Sequence, residues 1–141
     1  MRHVLIFLQS ATAIAPTLID SVPWIALNSI RETTGIHLCD KLRPRSESTT
    51  EFPHVDFSLI TDEVDRYYEL FPDSREPQDI VAARCKEFLN WIGTRKEKEI
   101  LMISHSSFLR TMFTCVIPAN DESWKNFDNA EFRTYVVSIP N

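Results

Sequence analysis

The sequence predicts an α/β domain with a mostly parallel sheet flanked by helices, and three observations carry that prediction. An amphipathic helical stretch leads through a charged turn into a short unbroken apolar run; a polar Ser-His-Ser-Ser loop follows the run; a second helical stretch follows the loop. Helix, buried strand, loop and helix in that order mark strands joined by helical crossovers. In such sheets ligands bind just beyond the carboxyl ends of the strands, which is where the Ser-His-Ser-Ser loop falls.

Taken in order, residues 4–15 are apolar enough for a buried helix or strand, and periodicity does not separate the two. Met1-Arg2-His3, the run Val4 to Leu8 and the small residues around Ala13 and Ala15 look superficially like a secretion signal. Gln9-Ser10 ends that run early, so the stretch is read as part of the fold. Trp24 to Ile30 reads as a strand, opened by Pro23 and closed by the polar Arg31-Glu32. From Cys39 to Phe57 the chain is rich in Pro, Ser, Thr and charge and reads as a long irregular excursion, the kind of loop that is more often functional than idle.

Asp62 to Leu70 fits a short helix ended before Pro72. The clearest element is the helix from Pro77 to Ile92, with Pro77 suited to the first turn and Gly93 to the stop. Val81, Cys85, Phe88, Leu89 and Ile92 recur at three- and four-residue steps and form one apolar stripe. Thr94 to Glu99 is a solvated turn, and Ile100-Leu101-Met102-Ile103 has the unbroken apolar character of a strand buried on both faces. Ser104 to Ser107 forms the loop, Phe108 to Val116 the second helix before Pro118, and Glu131 to Ile139 a last strand.

With 141 residues and only two glycines, Gly35 and Gly93, the chain offers one core and no linker, so residues 1–141 read as a single domain. At this size roughly 68–70% of the unfolded surface is buried, enough for stability without disulfides. Cys39, Cys85 and Cys115 are few, scattered and odd in number, which points to a reducing, cytoplasmic setting. The net charge of −5 argues against nucleic acid or an anionic membrane as partner, and no run approaches the ~18 apolar residues of a membrane span. A small anionic ligand remains compatible, because a few local arginines and histidines suffice to hold one phosphate.

His105 is the most informative residue for chemistry. It ends the apolar run and opens a helix whose first amides lack intrahelical partners and favour an anion, with Ser106 and Ser107 adding hydroxyl donors. The plainer alternative is a helix-capping loop with a hydrogen-bonded histidine. Glu32 also follows an apolar strand, so it can share a sheet edge with His105 and act as a proton donor; the plainer alternative is a surface Arg31-Glu32 pair. Arg43 and Arg45, beside Lys41, are suited to clamping an anionic substrate, or to being solvated loop residues.

These residues carry a family resemblance. Ile30 through Arg43, with its Arg-Glu-x-x-Gly-x-x-x-Cys-Asp core, is similar to the corresponding stretch of phosphoglycerate-mutase-like proteins of the histidine phosphatase superfamily. Ser46-Glu47 and the segment Phe52 to Ser58 continue it. Phe88 to Ile100, Ile103 to Leu109 and Asn126 to Arg133 resemble the helix and turn, the second-histidine segment and the return to the final strand. The match runs over nearly all of residues 9–139, and several co-linear motifs are more specific than any one of them.

The resemblance implies a phosphoglycerate-mutase-like sandwich and a phosphomonoester hydrolase or phosphomutase acting through phosphohistidine on a small phosphorylated substrate. It needs no metal and no cofactor. It makes His105 the second histidine of the phosphate pocket, Glu32 the acid, and Arg43 a substrate contact. Leu42 takes the place of the other arginine of the family's pair, and Ile6 stands where the family has a phosphate-binding arginine. No Arg-His-Gly occurs in these 141 residues, so the expectation is a domain lacking its first strand and nucleophile loop, inactive or very weak. Arg2-His3 precedes the apolar run instead of ending a strand and is not expected to replace that loop.

Three rival readings stand beside this one. They are an active phosphatase with another nucleophile, a non-catalytic module that binds a phosphorylated ligand or a protein or self-associates through an exposed sheet edge, and an incomplete gene product without a function of its own.

Overall fold

The structure is a computed structural model that describes residue 8 and residues 11–13, 15–117 and 127–138. Most of the apolar stretch 4–15, with Arg2-His3 and Ile6, lies outside the described residues, although Leu8 and residues 11–13 are helical. Among the described residues the architecture is helical with one small parallel sheet, of α/β character. Strand β1 (Trp24–Ile25) pairs in parallel with β2 (Val55–Asp56), Trp24 opposite Val55 and Ile25 opposite Asp56. The crossover between them carries helix α1 (Arg45–Glu51). Helices α2 (Arg66–Leu70), α3 (Gln78–Gly93) and α4 (Ser106–Thr111) follow. The chain continues from α4 as a π-helical turn, Met112–Val116, in which the Ile117 amide reaches back to the Met112 carbonyl at 2.9 Å.

Two apolar clusters organise this. The larger joins Val81, Cys85 and Phe88 of α3 to Phe108, Met112 and Phe113, with Leu27, Ile30 and Met102 packed against it. The smaller, Phe52, Val55 and Phe57, receives Trp24, Ala26 and Ile60 under the two-stranded sheet. Helix α3 therefore lies where the stripe predicts, one residue displaced, with Pro77 at the cap and Val81, Cys85 and Phe88 buried. One further buried residue on that face is charged, Arg84.

Several sequence expectations are corrected. The strand Trp24 to Ile30 survives only as β1, because Asn28–Ile30 turns into a single 3-10 turn that brings Arg31 inward. Cys39 to Phe57 is not irregular: it holds a 3-10 turn at Leu38–Asp40, then α1 and β2. Helix α1 is built from polar contacts. Arg43 bonds Glu47 and Glu51, the Thr49 and Thr50 hydroxyls bond the Arg45 and Ser46 carbonyls, and Glu63 receives the Ser46 amide at 3.1 Å. The helix expected from Asp62 begins only at Arg66, since Asp65 serves as its N-cap and accepts the Tyr68 amide.

Ile100 to Ile103 forms no strand, nor does Glu131 to Ser138; Ile139 lies outside the described residues. A strand takes its hydrogen bonds from neighbours, and among the described residues neither segment has a ladder partner, leaving Ile100, Leu101, Phe132 and Val136 exposed. No helix among the described residues is long and apolar enough to cross a membrane.

Candidate functional site

The site is built from two chain segments that meet across the larger core. One is 29–34, which leaves the 3-10 turn at Asn28–Ile30 and carries Glu32. The other is 104–107, which carries His105 at the N-cap position of α4 with extended backbone and no side-chain capping bond. The Ser104 hydroxyl donates to the Ile30 carbonyl at 2.7 Å and ties the two segments directly together. Across this junction His105 Nδ1 lies 4.0 Å from Glu32 Oε2. The other carboxylate oxygen, Oε1, accepts the Thr33 amide at 2.7 Å, so one oxygen is held by backbone while the other faces the imidazole.

Beneath Glu32 two buried ion pairs anchor the segment. Arg31, 6% exposed, forks onto Asp65 at 2.5 and 2.7 Å and also donates to the Thr34 hydroxyl and to the Asp40 carbonyl. Arg84, 2% exposed, forks onto Glu76 at 2.8 and 2.7 Å and donates to the main-chain oxygens of Ser29 and Arg31. The Tyr67 ring lies about equally near both guanidinium groups, 6.0 Å from that of Arg31 and 5.9 Å from that of Arg84. Asp40, carrying an ion pair with Arg75, completes the polar surround.

Gly35 closes the Glu32 loop with φ +94°, a left-handed conformation that glycine adopts at no steric cost. A Cβ there would overlap the carbonyl oxygen of Ser74 and approach that of Phe71 to 2.8 Å.

The electrostatics follow from this packing. Burial lowers the His105 pKa below its ordinary value and outweighs the nearby Glu32 and Asp40 carboxylates, which raise it; the Arg31 charge lowers it further. The packing thus favours the neutral ring, in which one nitrogen donates a hydrogen bond and the other accepts one. Burial works against the Asp65 carboxylate, but the hydrogen bonds and charge of Arg31 and the amides of Leu42 and Tyr68 win, holding it below the usual range. Cys85 is no alternative nucleophile: burial pushes its thiol up to about 12.

A pocket of about 270 Å³ opens on the flank, with Thr33, Arg75, Ser107 and Arg110 among its lining residues. Neither His105 nor Glu32 lines it, though Thr33 follows Glu32 directly in the chain and Ser107 lies two residues beyond His105. Ser106 and Ser107 sit exposed at the start of α4.

The structure thus brings Glu32 and His105 together with the serines beside them, but not the two arginines read as substrate contacts. Arg43 is turned to Glu47 and Glu51 of α1. Arg45 pairs with Glu63 at 3.4 Å and lines a separate depression of about 440 Å³ with Thr49, Asp56 and Ser58.

Sequence reasoning missed Arg31, Asp65, Glu76 and Arg84 as elements of the site. The signal for Arg84 was present: it falls on the buried face of α3, beside Cys85 and between Val81 and Phe88, and an arginine on such a face demands a carboxylate partner.

Three proteins of Arabidopsis thaliana match the chain. One named phosphoglycerate mutase-like protein is 39% identical over 124 residues, covering 84% of this chain and 45% of its own length. Phosphoglycerate mutase-like protein 1 is 42% identical over 120 residues, covering 82% and 42% respectively. Phosphoglycerate mutase-like protein 2 is 37% identical over 108 residues, covering 73% and 31%. The chain spans less than half the length of each of these relatives. No family model and no solved structure matches it.

Proposed function

The chain belongs to the phosphoglycerate-mutase-like proteins of the histidine phosphatase superfamily, and on that premise we propose that its His105–Glu32 junction is one half of a phosphoryl-binding site. The observation that carries this reading is the 4.0 Å approach of a half-buried imidazole to a carboxylate with one oxygen already held by backbone. In the proposed chemistry His105 donates to a phosphate oxygen and gains charge as the anion arrives. Glu32 manages the proton of the leaving oxygen, and the amides and hydroxyls of Ser106 and Ser107 supply further donors. The substrate class is a small phosphorylated molecule, and the wider fold is the family's sandwich, of which residues 1–141 form a single, incomplete domain.

A phosphohistidine route requires a nucleophilic histidine aimed at that phosphate. No Arg-His-Gly occurs in the 141 residues, so the proposal for this chain by itself is phosphate binding with little or no turnover. Charge-assisted hydrogen bonds contribute roughly 1.5–3 kcal/mol each, and without the family's arginine contacts the expected affinity is about millimolar. Titrating inorganic phosphate against the His105 ring resonances, with His105→Ala as control, tests this. Millimolar binding without phosphate release supports it. No binding contradicts the pocket, and micromolar binding with release from an aryl phosphate contradicts the inactive state.

A second reading, a module that docks a protein or self-associates, is favoured by exposed apolar side chains in two segments that form no strand, Leu101 at 49%, Phe132 at 73% and Val136 at 100%. Light scattering across protein concentrations tests it: a constant monomer mass speaks against self-association.

A further inference from the structure

We infer that the buried Arg84–Glu76 pair is the positioning device of this site, fixing the Glu32 carboxylate opposite the His105 imidazole. The inference rests on the reading of His105 and Glu32 as partners in one pocket and extends it to residues that do not line their junction.

The backbone of 29–34 takes most of its hydrogen bonds from side chains. Apart from the turn at Asn28–Ile30 this stretch belongs to no helix or strand, so its polar groups need other partners. Arg84 supplies them on one side: Nη1 donates to the Ser29 and Arg31 carbonyls at 2.7 and 3.2 Å, and Nη2 reaches the Glu32 carbonyl at 3.5 Å. Glu76 supplies the other side, accepting the Thr34 amide at 3.2 Å through Oε2 while its own amide donates to the Thr34 carbonyl at 2.9 Å. One ion pair thus brackets Glu32 from residue 29 to residue 34 and stands in for a strand ladder.

The same guanidinium also touches the second half of the site. Its carbon lies 5.6 Å from the centre of the Phe108 ring, on the helix that His105 opens, and the Cys85 thiol beside it contacts the Phe108 carbonyl at 4.0 Å. Arg84 therefore bonds the segment that carries Glu32 and, through Phe108, touches the helix whose N-cap is His105. A buried ion pair is seldom a gain in stability over apolar packing, and fixing register is its better attested use. Lysine cannot replace it, since an ammonium lacks the planar fork that serves a carboxylate and several carbonyls together.

The test reads the His105 titration by NMR without phosphate, so it does not depend on whether the pocket binds anything. Among the described residues the charged groups that act on His105 include Glu32, Asp40 and Arg31. In the unsubstituted chain Glu32→Gln should lower the His105 pKa by removing a favourable carboxylate. In an Arg84→Lys background the same change should lose most of that shift, while the His37 and His54 resonances keep their positions. If Arg84→Lys does not fold, Glu76→Gln, which is isosteric, takes its place with the same expectation.

An equal shift in both backgrounds would overturn the inference, as would unfolding of both variants, which would reduce the pair to a stability element. No response of His105 to Glu32→Gln in the unsubstituted chain would overturn it together with the functional reading. A full pattern of shifts in a chain that fails to bind phosphate would uphold the positioning and reject the functional reading alone.

Discussion

Among the described residues, segments 29–34 and 100–103 both lie outside any strand ladder, yet they end in opposite states. The first is enclosed by Arg31–Asp65 and Arg84–Glu76, with Ser29, Arg31 and Thr34 buried. The second leaves Ile100 and Leu101 41% and 49% exposed, with Met102 packed against the core. The difference lies in what each side-chain set offers the backbone. Arginine and glutamate carry donors and acceptors that replace a neighbouring strand, whereas Ile, Leu and Met offer none and depend on one. Order at the candidate site therefore comes from buried charge, and the apolar segment has the composition of a strand without its setting.

The largest expected effect is at Arg84. Replacing it with Met leaves Glu76 buried without its partner and should cost roughly 3–5 kcal/mol, read from urea unfolding. Arg45→Met, which removes an exposed pair, should cost about 0–1 kcal/mol; similar losses at the two sites would break the comparison. Next in size is Gly35→Ala, where the positive φ and the overlap with the Ser74 and Phe71 carbonyls predict a loss of about 1–3 kcal/mol. A chain as stable as the parent would mean that the loop carrying Glu32 is not held in this conformation.

The pH dependence gives smaller effects with a definite sign. Both Asp65 and His105 have pKa values below their ordinary ones, so the unfolded chain binds protons more readily than the folded chain. The His105 contribution is complete above the ordinary value of 6.5 and is lost as pH falls from there through the lowered value. The Asp65 contribution is complete above 3.8 and is lost below it. Urea midpoints should therefore fall on acidification in two stages, and His105→Gln should remove the upper one; a midpoint that rises between pH 7 and pH 5 would contradict this. The smallest effect is expected in the exposed segment, where Leu101→Lys should alter stability by less than about 0.5 kcal/mol.

The same contrast explains what the sequence made legible. Helix α3 was readable because an amphipathic helix satisfies its own backbone and needs only one apolar stripe to dock. His105 and Glu32 were singled out because each follows an apolar run, and they lie 4.0 Å apart although neither run forms the strand expected of it. The strands at Ile100 to Ile103 and Glu131 to Ile139 were read from composition, which cannot report whether a pairing neighbour is at hand. Helix α1 was hidden because Ser, Thr and charge read as loop, while its stability comes from Arg43, Glu47, Glu51 and the distant Glu63. Arg84 shares the stripe of Val81, Cys85 and Phe88, but its role depends on Glu76 and on the backbone of 29–34, contacts that helical spacing does not report.

The measurement that tests most directly whether side chains order the site is amide hydrogen exchange. Thr34 donates its amide to Glu76, and Glu76 donates its own to the Thr34 carbonyl. Both amides should exchange slowly, with opening free energies approaching that of global unfolding, while the amides of Leu101 and Val136 exchange nearly as fast as in an unfolded chain. Fast exchange at Thr34 and Glu76 alongside protected amides at 101 and 136 would contradict the account, because a sheet and not the buried ion pairs would then be holding the site.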